Sequence, residues 1–210
     1  MLYKYSEKFR GFKSGLGEFF GRLPITPNCW TALSLIAAFM GFYLIIQDKF
    51  ISGAALFAIA AFLDLIDGSV AKAKNKVSVL GAYLDTITDR YVEFIIIFGL
   101  FFVAYPHFIF SAKTWLLIML FGSLMTSYSI SAAREEGVEE RRLRGGILER
   151  GERMILLFLI ILLSDFSRTY ALYLIAIMAV LANITALQRI WIAVRIFAKE
   201  RRYKEYLLKI

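Results

Sequence analysis

Asp64-Leu-Ile-Asp67-Gly68-Ser-Val-Ala71-Lys72 and, eight residues further on, Gly81-Ala-Tyr-Leu-Asp85-Thr-Ile-Thr-Asp89 place four carboxylates inside two otherwise apolar helical stretches. An ionisable group at membrane depth costs about 2.5–3.5 kcal/mol, so four unneutralised carboxylates would cost about 10–14 kcal/mol. Something must offset that cost, and a cluster of divalent cations is the candidate.

The surrounding sequence is that of a membrane protein. Of 210 residues, 59% are hydrophobic, and the mean hydropathy is +0.64, whereas an ordinary soluble domain is about 45–50% apolar. Six apolar helical stretches, near 29–47, 52–73, 79–104, 113–134, 148–164 and 169–198, are each long enough to cross a hydrocarbon core of about 30 Å. Residues 1–22 read differently: Tyr3, Phe9, Phe12, Leu16, Phe19 and Phe20 alternate with Lys4, Lys8, Arg10 and Lys13. That pattern predicts an amphipathic helix lying in the membrane interface, and it lacks the continuous apolar core of a signal peptide. The predicted fold class is therefore an all-α integral membrane protein, with an N-terminal amphipathic interfacial helix followed by six transmembrane helices. No connection is long enough for a separate soluble domain and no inverted repeat is visible, so residues 1–210 read as a single membrane domain.

Charge sets the orientation. Of the 25 Lys and Arg residues, all but Lys49, Lys113 and Arg168 fall before the first span, around the second and fourth connections, or at the C-terminal end. By the positive-inside tendency this places both termini, and the active site with them, on the cytoplasmic side of a multi-pass protein of the cytoplasmic membrane. The net charge of +8 is thus assigned to the membrane surface, with no nucleic-acid partner. A single cysteine, Cys29, excludes an intramolecular disulfide and a cysteine-based zinc site. The lone histidine, His107, is expected in a solvated or interfacial loop on the far side.

Asp64 and Asp67 are spaced i, i+3, and Asp85 and Asp89 i, i+4, so each pair shares a helix face. The short basic segment from Lys72 to Leu80 predicts a hairpin between the second and third spans. Both pairs then reach a comparable depth, roughly 8–15 Å from the turn. Oxygen-only ligation suits Mg²⁺ or Mn²⁺, and four carboxylates suffice for two ions. Gly68, Gly81 and Ala71 keep the same region free of bulk. Lys72 and Ser78 flank it as a candidate phosphate ligand and hydroxyl donor. The competing explanation is structural, with the aspartates paired to Arg90 and nearby lysines or lining an ion path.

These residues resemble the signature of the CDP-alcohol phosphotransferase family, D-x-x-D-G-x-x-A-R-(x)8-G-x-x-x-D-x-x-x-D. Asp64, Asp67, Gly68, Ala71, Gly81, Asp85 and Asp89 stand where it asks, and Lys72 departs from its Arg, keeping the charge without the bidentate fork. The resemblance implies that Asp64, Asp67, Asp85 and Asp89 ligate the metals that grip a CDP-linked lipid. It further implies that Asp89 is the catalytic base: it deprotonates an acceptor alcohol that attacks the β-phosphorus, and CMP leaves. Thr26-Pro27-Asn28-Cys29-Trp30-Thr31 is similar to the family's Thr-Pro-Asn-x-x-Thr segment, which implies that Pro27, Asn28 and Thr31 join Asp64, Gly68, Lys72 and Ser78 in binding the CDP-lipid. As a local sequence the same segment also reads as an ordinary helix start, with Asn28 or Thr26 as N-cap. A homodimer is implied in the same way, with the third and fourth spans as the surface to look at first.

Arg150 and Arg153 open the fifth span at i, i+3, and Arg189 lies within the sixth; all three are deep for casual surface charges. Together they read as a pocket for a phosphate monoester. The resemblance is nearest to archaeal and bacterial inositol-phosphate members of the family, although Ile130-Ser131-Ala132 lacks the lysine such members often carry, a gap that Arg134 or Lys72 would fill. The predicted acceptor is inositol 1-phosphate, glycerol 3-phosphate being the alternative within the same chemistry and an ion or metal transporter the alternative of another class.

Overall fold

The computed structural model describes residues 6–74, 78–143 and 145–207. Among these residues the chain is all-α, with α1 (Ser6–Gly21), α2 (Pro27–Ile46), α3 (Phe50–Ala73), α4 (Val79–Leu100), α5 (Ala112–Glu135), α6 (Glu140–Leu143), α7 (Arg150–Phe166) and α8 (Arg168–Leu207). Each of the six apolar stretches is a helix, with boundaries moved by a few residues. Four of them, α2, α3, α5 and α8 over Arg168–Lys199, are long and apolar enough to cross a bilayer. The other two fall short for different reasons. Asp85, Asp89, Arg90 and Glu93 dilute the apolar character of α4, and α7, with 17 residues, measures only about 26 Å against a core of about 30 Å.

Helix α1 coincides with the predicted N-terminal helix, although Tyr3 and Lys4 lie outside the described residues, as do the side chains of Lys8, Phe9, Arg10, Phe12 and Lys13. Two differences have local causes. The sixth stretch runs on to Leu207, giving 40 residues, or about 60 Å, because no glycine or proline interrupts it. Inside the charged fourth connection the short α6 forms where Val138 and Leu143 bury themselves with Ala133 and Ala193. His107 lies exposed in the irregular segment between α4 and α5.

The chain divides into two compact units, residues 1–103 and 104–210. Within the first, α2 is the organising helix: it packs along both α3 and α4, while α3 and α4 touch each other little. The hairpin predicted between the two carboxylate helices is thus held together largely through a third helix. Small residues make this close approach feasible. A Cβ on Gly53 would come within 2.8 Å of Ile45 Cγ1, and one on Gly99 within 3.2 Å of Phe42. Helix α1 packs on α3 with Gly17 directly over the Ser69 carbonyl, and Phe20 joins Trp30, Ile66 and Val70 in a shared core. Outward-facing Ile36, Phe39, Met40 and Tyr43 leave α2 apolar on its exposed side as well, as expected of a helix solvated by lipid.

Within the second unit, α8 packs along α5 and α7. Its contact with α5 is fastened by polar ties. Asn183 Nδ2 donates to the Ile118 carbonyl (2.9 Å) and Thr126 Oγ1 donates to the Ala182 carbonyl (3.2 Å). Gly122 sits against Asn183, where a Cβ would lie 2.6 Å from Nδ2 and 2.8 Å from the backbone nitrogen. Gly122→Ala should therefore destabilise the protein by about 1–3 kcal/mol through overpacking, read as a lower thermal midpoint in detergent. Gly151→Ala, whose added methyl meets nothing within 4 Å, should leave that midpoint unchanged.

Candidate active site

The first unit brings three of the four sequence-predicted aspartates together. Asp64 and Asp67 on α3 and Asp85 on α4 offer carboxylate oxygens that all lie within 4.8 Å of one another. Asp67 is buried, whereas Asp64 and Asp85 are half-buried. Asp89, one turn further along α4, is also buried but stands outside this triad. Its neighbour Arg90 forms an ion pair with Glu93 (3.0 Å). An all-oxygen triad of this size is the donor set a hard divalent cation takes. Three anionic oxygens at such separations repel one another unless a cation or proton lies among them.

Asp67 is oriented by a residue from another helix. Thr31 Oγ1 on α2 donates a hydrogen bond to Asp67 Oδ2, the kind of outer contact that fixes a ligating carboxylate. The contact explains why the threonine stands one turn into α2, where its hydroxyl also reaches the Pro27 carbonyl (3.3 Å).

Beside the triad lies a cavity of about 160 Å³ lined by Pro27, Asn28, Thr31, Asp67, Gly68, Ala71, Lys72, Ser78, Gly81, Ala82 and Asp85. Of the residues predicted to bind the CDP-lipid, Pro27, Asn28, Thr31, Gly68, Lys72 and Ser78 line this cavity, and Asp64 belongs to the adjoining triad. The two glycines differ in what they accommodate. At Gly68 a Cβ would meet nothing within 4 Å, so its missing side chain leaves open space. At Gly81 a Cβ would lie 3.0 Å from Ser78 Oγ, because the serine hydroxyl caps α4 by accepting from the Gly81 amide (3.0 Å). Ser78 can therefore still donate its proton into the cavity.

The entry to α2 is more than a helix start. Thr26 occupies the N-cap position with an extended backbone and Pro27 follows at the first turn, yet the Thr26 hydroxyl donates to Cys29 Sγ (3.1 Å) and Asn28 faces the cavity. Lys74, not singled out in the sequence, ties this segment to the end of α3 by donating from Nζ to the carbonyls of Leu23 (2.9 Å) and Ile25 (3.2 Å). Nothing local distinguishes Lys74 from Lys72. The partners lie about fifty positions away in the chain, so only the packed helices reveal them.

The four arginines predicted to hold a phosphate all lie in the second unit. Arg153 is fully buried at 1% exposure, Arg150 and Arg189 are half-buried, and Arg134 is exposed in the last turn of α5. The acidic residues at the start of α7 have a structural use: Glu152 Oε2 accepts from the Glu149 amide (2.9 Å) and caps the helix. Arg189 is engaged with the main chain, its Nε donating to the Gly145 carbonyl and its terminal nitrogen to the Thr126 carbonyl, both at 2.9 Å.

An all-helical membrane protein with an oxygen-donor triad on the wall of a glycine-edged cavity is the class of molecule this fold and site define. The sequence pattern of CDP-alcohol phosphatidyltransferases matches residues 24–198, and the chain belongs to that family. It is 35% identical over 192 residues to the archaetidylinositol phosphate synthase of Pyrococcus horikoshii, covering 91% of this chain and 95% of that relative. Among solved structures it resembles Mycobacterium tuberculosis phosphatidylinositol phosphate synthase (PgsA1) with CDP-DAG bound, at a TM-score of 0.75 and 27% identity over 86% of this chain and 92% of that one. The same enzyme in complex with manganese and citrate gives a TM-score of 0.74 at 26% identity, covering 86% and 88%.

Replacing Thr31 with Val removes the hydroxyl that orients Asp67 and should weaken binding of Mn²⁺ by about 10–100-fold, read by direct titration of the purified protein with the metal. Thr31→Ser should restore most of that affinity.

Proposed function

We propose that this chain transfers the lipid-phosphate group of a CDP-linked lipid to the hydroxyl of inositol 1-phosphate, releasing CMP, in phospholipid synthesis. The observation that carries this reading is the coincidence of the aspartate triad with a cavity lined by both the Thr-Pro-Asn segment and the glycines of the motif. The named relatives, an archaetidylinositol phosphate synthase and a phosphatidylinositol phosphate synthase that binds CDP-DAG, support the donor and the acceptor class. Nothing in an ion path explains a glycine-edged cavity beside three clustered carboxylates, and the family match disfavours a transporter.

In this reading Asp64, Asp67 and Asp85 hold Mg²⁺ or Mn²⁺, with Asp89 completing a site for two ions. The manganese complex of the mycobacterial relative supports this choice. When bound, the cations neutralise the diphosphate and align it for in-line displacement. The chain's own residues do the rest. Asn28, Thr31 and Pro27 seat the nucleotide end, Gly68 leaves room for it, and Lys72 and Ser78 reach its phosphates as a point charge and a hydroxyl donor. Asp89 accepts the proton of the acceptor hydroxyl as that oxygen bonds to the β-phosphorus and the bond to the CMP oxygen breaks. Arg150, Arg153, Arg189 and Arg134 take the acceptor's phosphate. An apolar groove of about 510 Å³ lined by Ile36, Phe39, Met40, Tyr43, Leu44 and Leu56 lies further along α2 than Thr31 and suits the donor's hydrocarbon tails.

The same reading takes α4 and α7 as the remaining two of six spans and α1 as a helix at the cytoplasmic interface, with both termini and the site on the cytoplasmic side of the cytoplasmic membrane. A family match that runs across both compact units supports one catalytic domain over residues 1–210, and the protein is assigned as a homodimer.

Purified protein given CDP-lipid, Mg²⁺ and inositol 1-phosphate should release CMP, and should do so faster than with glycerol 3-phosphate. Asp89→Asn should lower the rate by about 10²–10⁴-fold, and chelation of divalent ions should abolish it. Faster release with glycerol 3-phosphate would reassign the acceptor, and metal flux without CMP formation would overturn the reading.

A further inference from the structure

We propose that Thr185 is a positioning residue for the acceptor-phosphate arginines of α7, acting as a latch between α8 and the loop that launches α7; the inference rests on the acceptor site proposed above. Thr185 is wholly buried and both functions of its hydroxyl are used. Oγ1 donates to the Leu181 carbonyl (2.8 Å) and accepts from the Leu148 amide (3.0 Å). Leu148 is itself buried and immediately precedes Glu149, the N-cap of α7, and Arg150, its first residue.

The loop is shaped to lie on this threonine. Gly146 has φ +128°, and a Cβ there would come within 2.5 Å of Thr185 Cγ2, so glycine is required by conformation and by space alike. One helical turn beyond Thr185, on the same face of α8, Arg189 grips the preceding carbonyl of Gly145 (2.9 Å) and reaches across to the Thr126 carbonyl of α5 (2.9 Å). Two residues of α8 therefore fasten residues 145–148. The α7 terminus that follows is closed by Glu152 and carries Arg153 at 1% exposure.

A packed arginine cannot correct by rotamer a shift in the helix that bears it. Guanidinium–phosphate recognition is directional, so the seat of the loop on Thr185 sets how well Arg150 and Arg153 meet a phosphate. Removing the hydroxyl leaves the Leu148 amide buried without an acceptor. The loop then lifts and the arginines move with it.

The test is a split between the two Michaelis constants of the intact protein, measured by CMP release. Thr185→Val should raise KM for inositol 1-phosphate roughly tenfold with KM for the CDP-lipid unchanged, and Thr185→Ser should restore it. Gly146→Ala should produce the same split by pushing on the latch from its other side, and it serves if Thr185→Val does not fold. Asn183→Ala removes a tie between α5 and α8 without touching the loop and should show no split. An unchanged acceptor KM in Thr185→Val, a parallel rise in both constants, or an equal split in Asn183→Ala would each overturn the latch. If the wild-type protein releases no CMP with inositol 1-phosphate, the proposed function fails instead, and the latch is then decided by hydrogen exchange. The Leu148 amide should exchange slowly in wild type and rapidly in Thr185→Val; equal rates would overturn it.

Discussion

Mutual repulsion among the carboxylates of Asp64, Asp67 and Asp85 is the constraint around which the first unit is built. Their oxygens lie within 4.8 Å of each other, on two helices of largely apolar sequence. Outside water, that arrangement is costly unless positive charge is brought to it. A fold that retains it at membrane depth has to hold the helices rigidly enough that the side chains cannot simply splay apart. Here that rigidity comes from α2, which packs along both α3 and α4 and sends Thr31 to Asp67.

The packing of α2 in turn depends on small residues. Gly53 and Gly99 let Ile45 and Phe42 approach their backbones, which keeps the three helices close where side-chain bulk would separate them. Helix α1 adds a second support from outside, with Gly17 seated over Ser69 and Phe20 inserted beside Trp30. Lys74 closes the arrangement by holding the α1–α2 link to the end of α3. These packed helices frame the cavity, and at Gly68 an added side chain would meet nothing within 4 Å.

The second unit solves a different problem with similar means. In the proposed function its arginines serve only if they are dry enough to bind strongly and fixed enough to be selective. Burial of Arg153 meets the first condition and the ties of Thr185 and Arg189 to residues 145–148 meet the second, while Thr126 and Asn183 join α5 to α8. Each of these ties ends on a main-chain group, so the helices are registered by backbone positions that side-chain substitutions elsewhere would not disturb.

Much of this was legible in the chain itself. Apolar runs mark helices because a helix satisfies its own backbone, so six stretches became six helices; i, i+3 and i, i+4 spacings put carboxylates on shared faces; Gly68 beside them announced space, whereas Gly81 serves the cap of α4. What the sequence left open, only tertiary structure decided: that α2 organises the carboxylate helices, that Asp89 stands outside the triad, that Lys74 and Thr185 are fasteners, and that Arg189 is partly engaged with the main chain. The reason is physical. Local pattern reports what a residue does within a few positions of itself, whereas these contacts join residues about 35 to 65 positions apart, and their geometry exists only once the helices have packed.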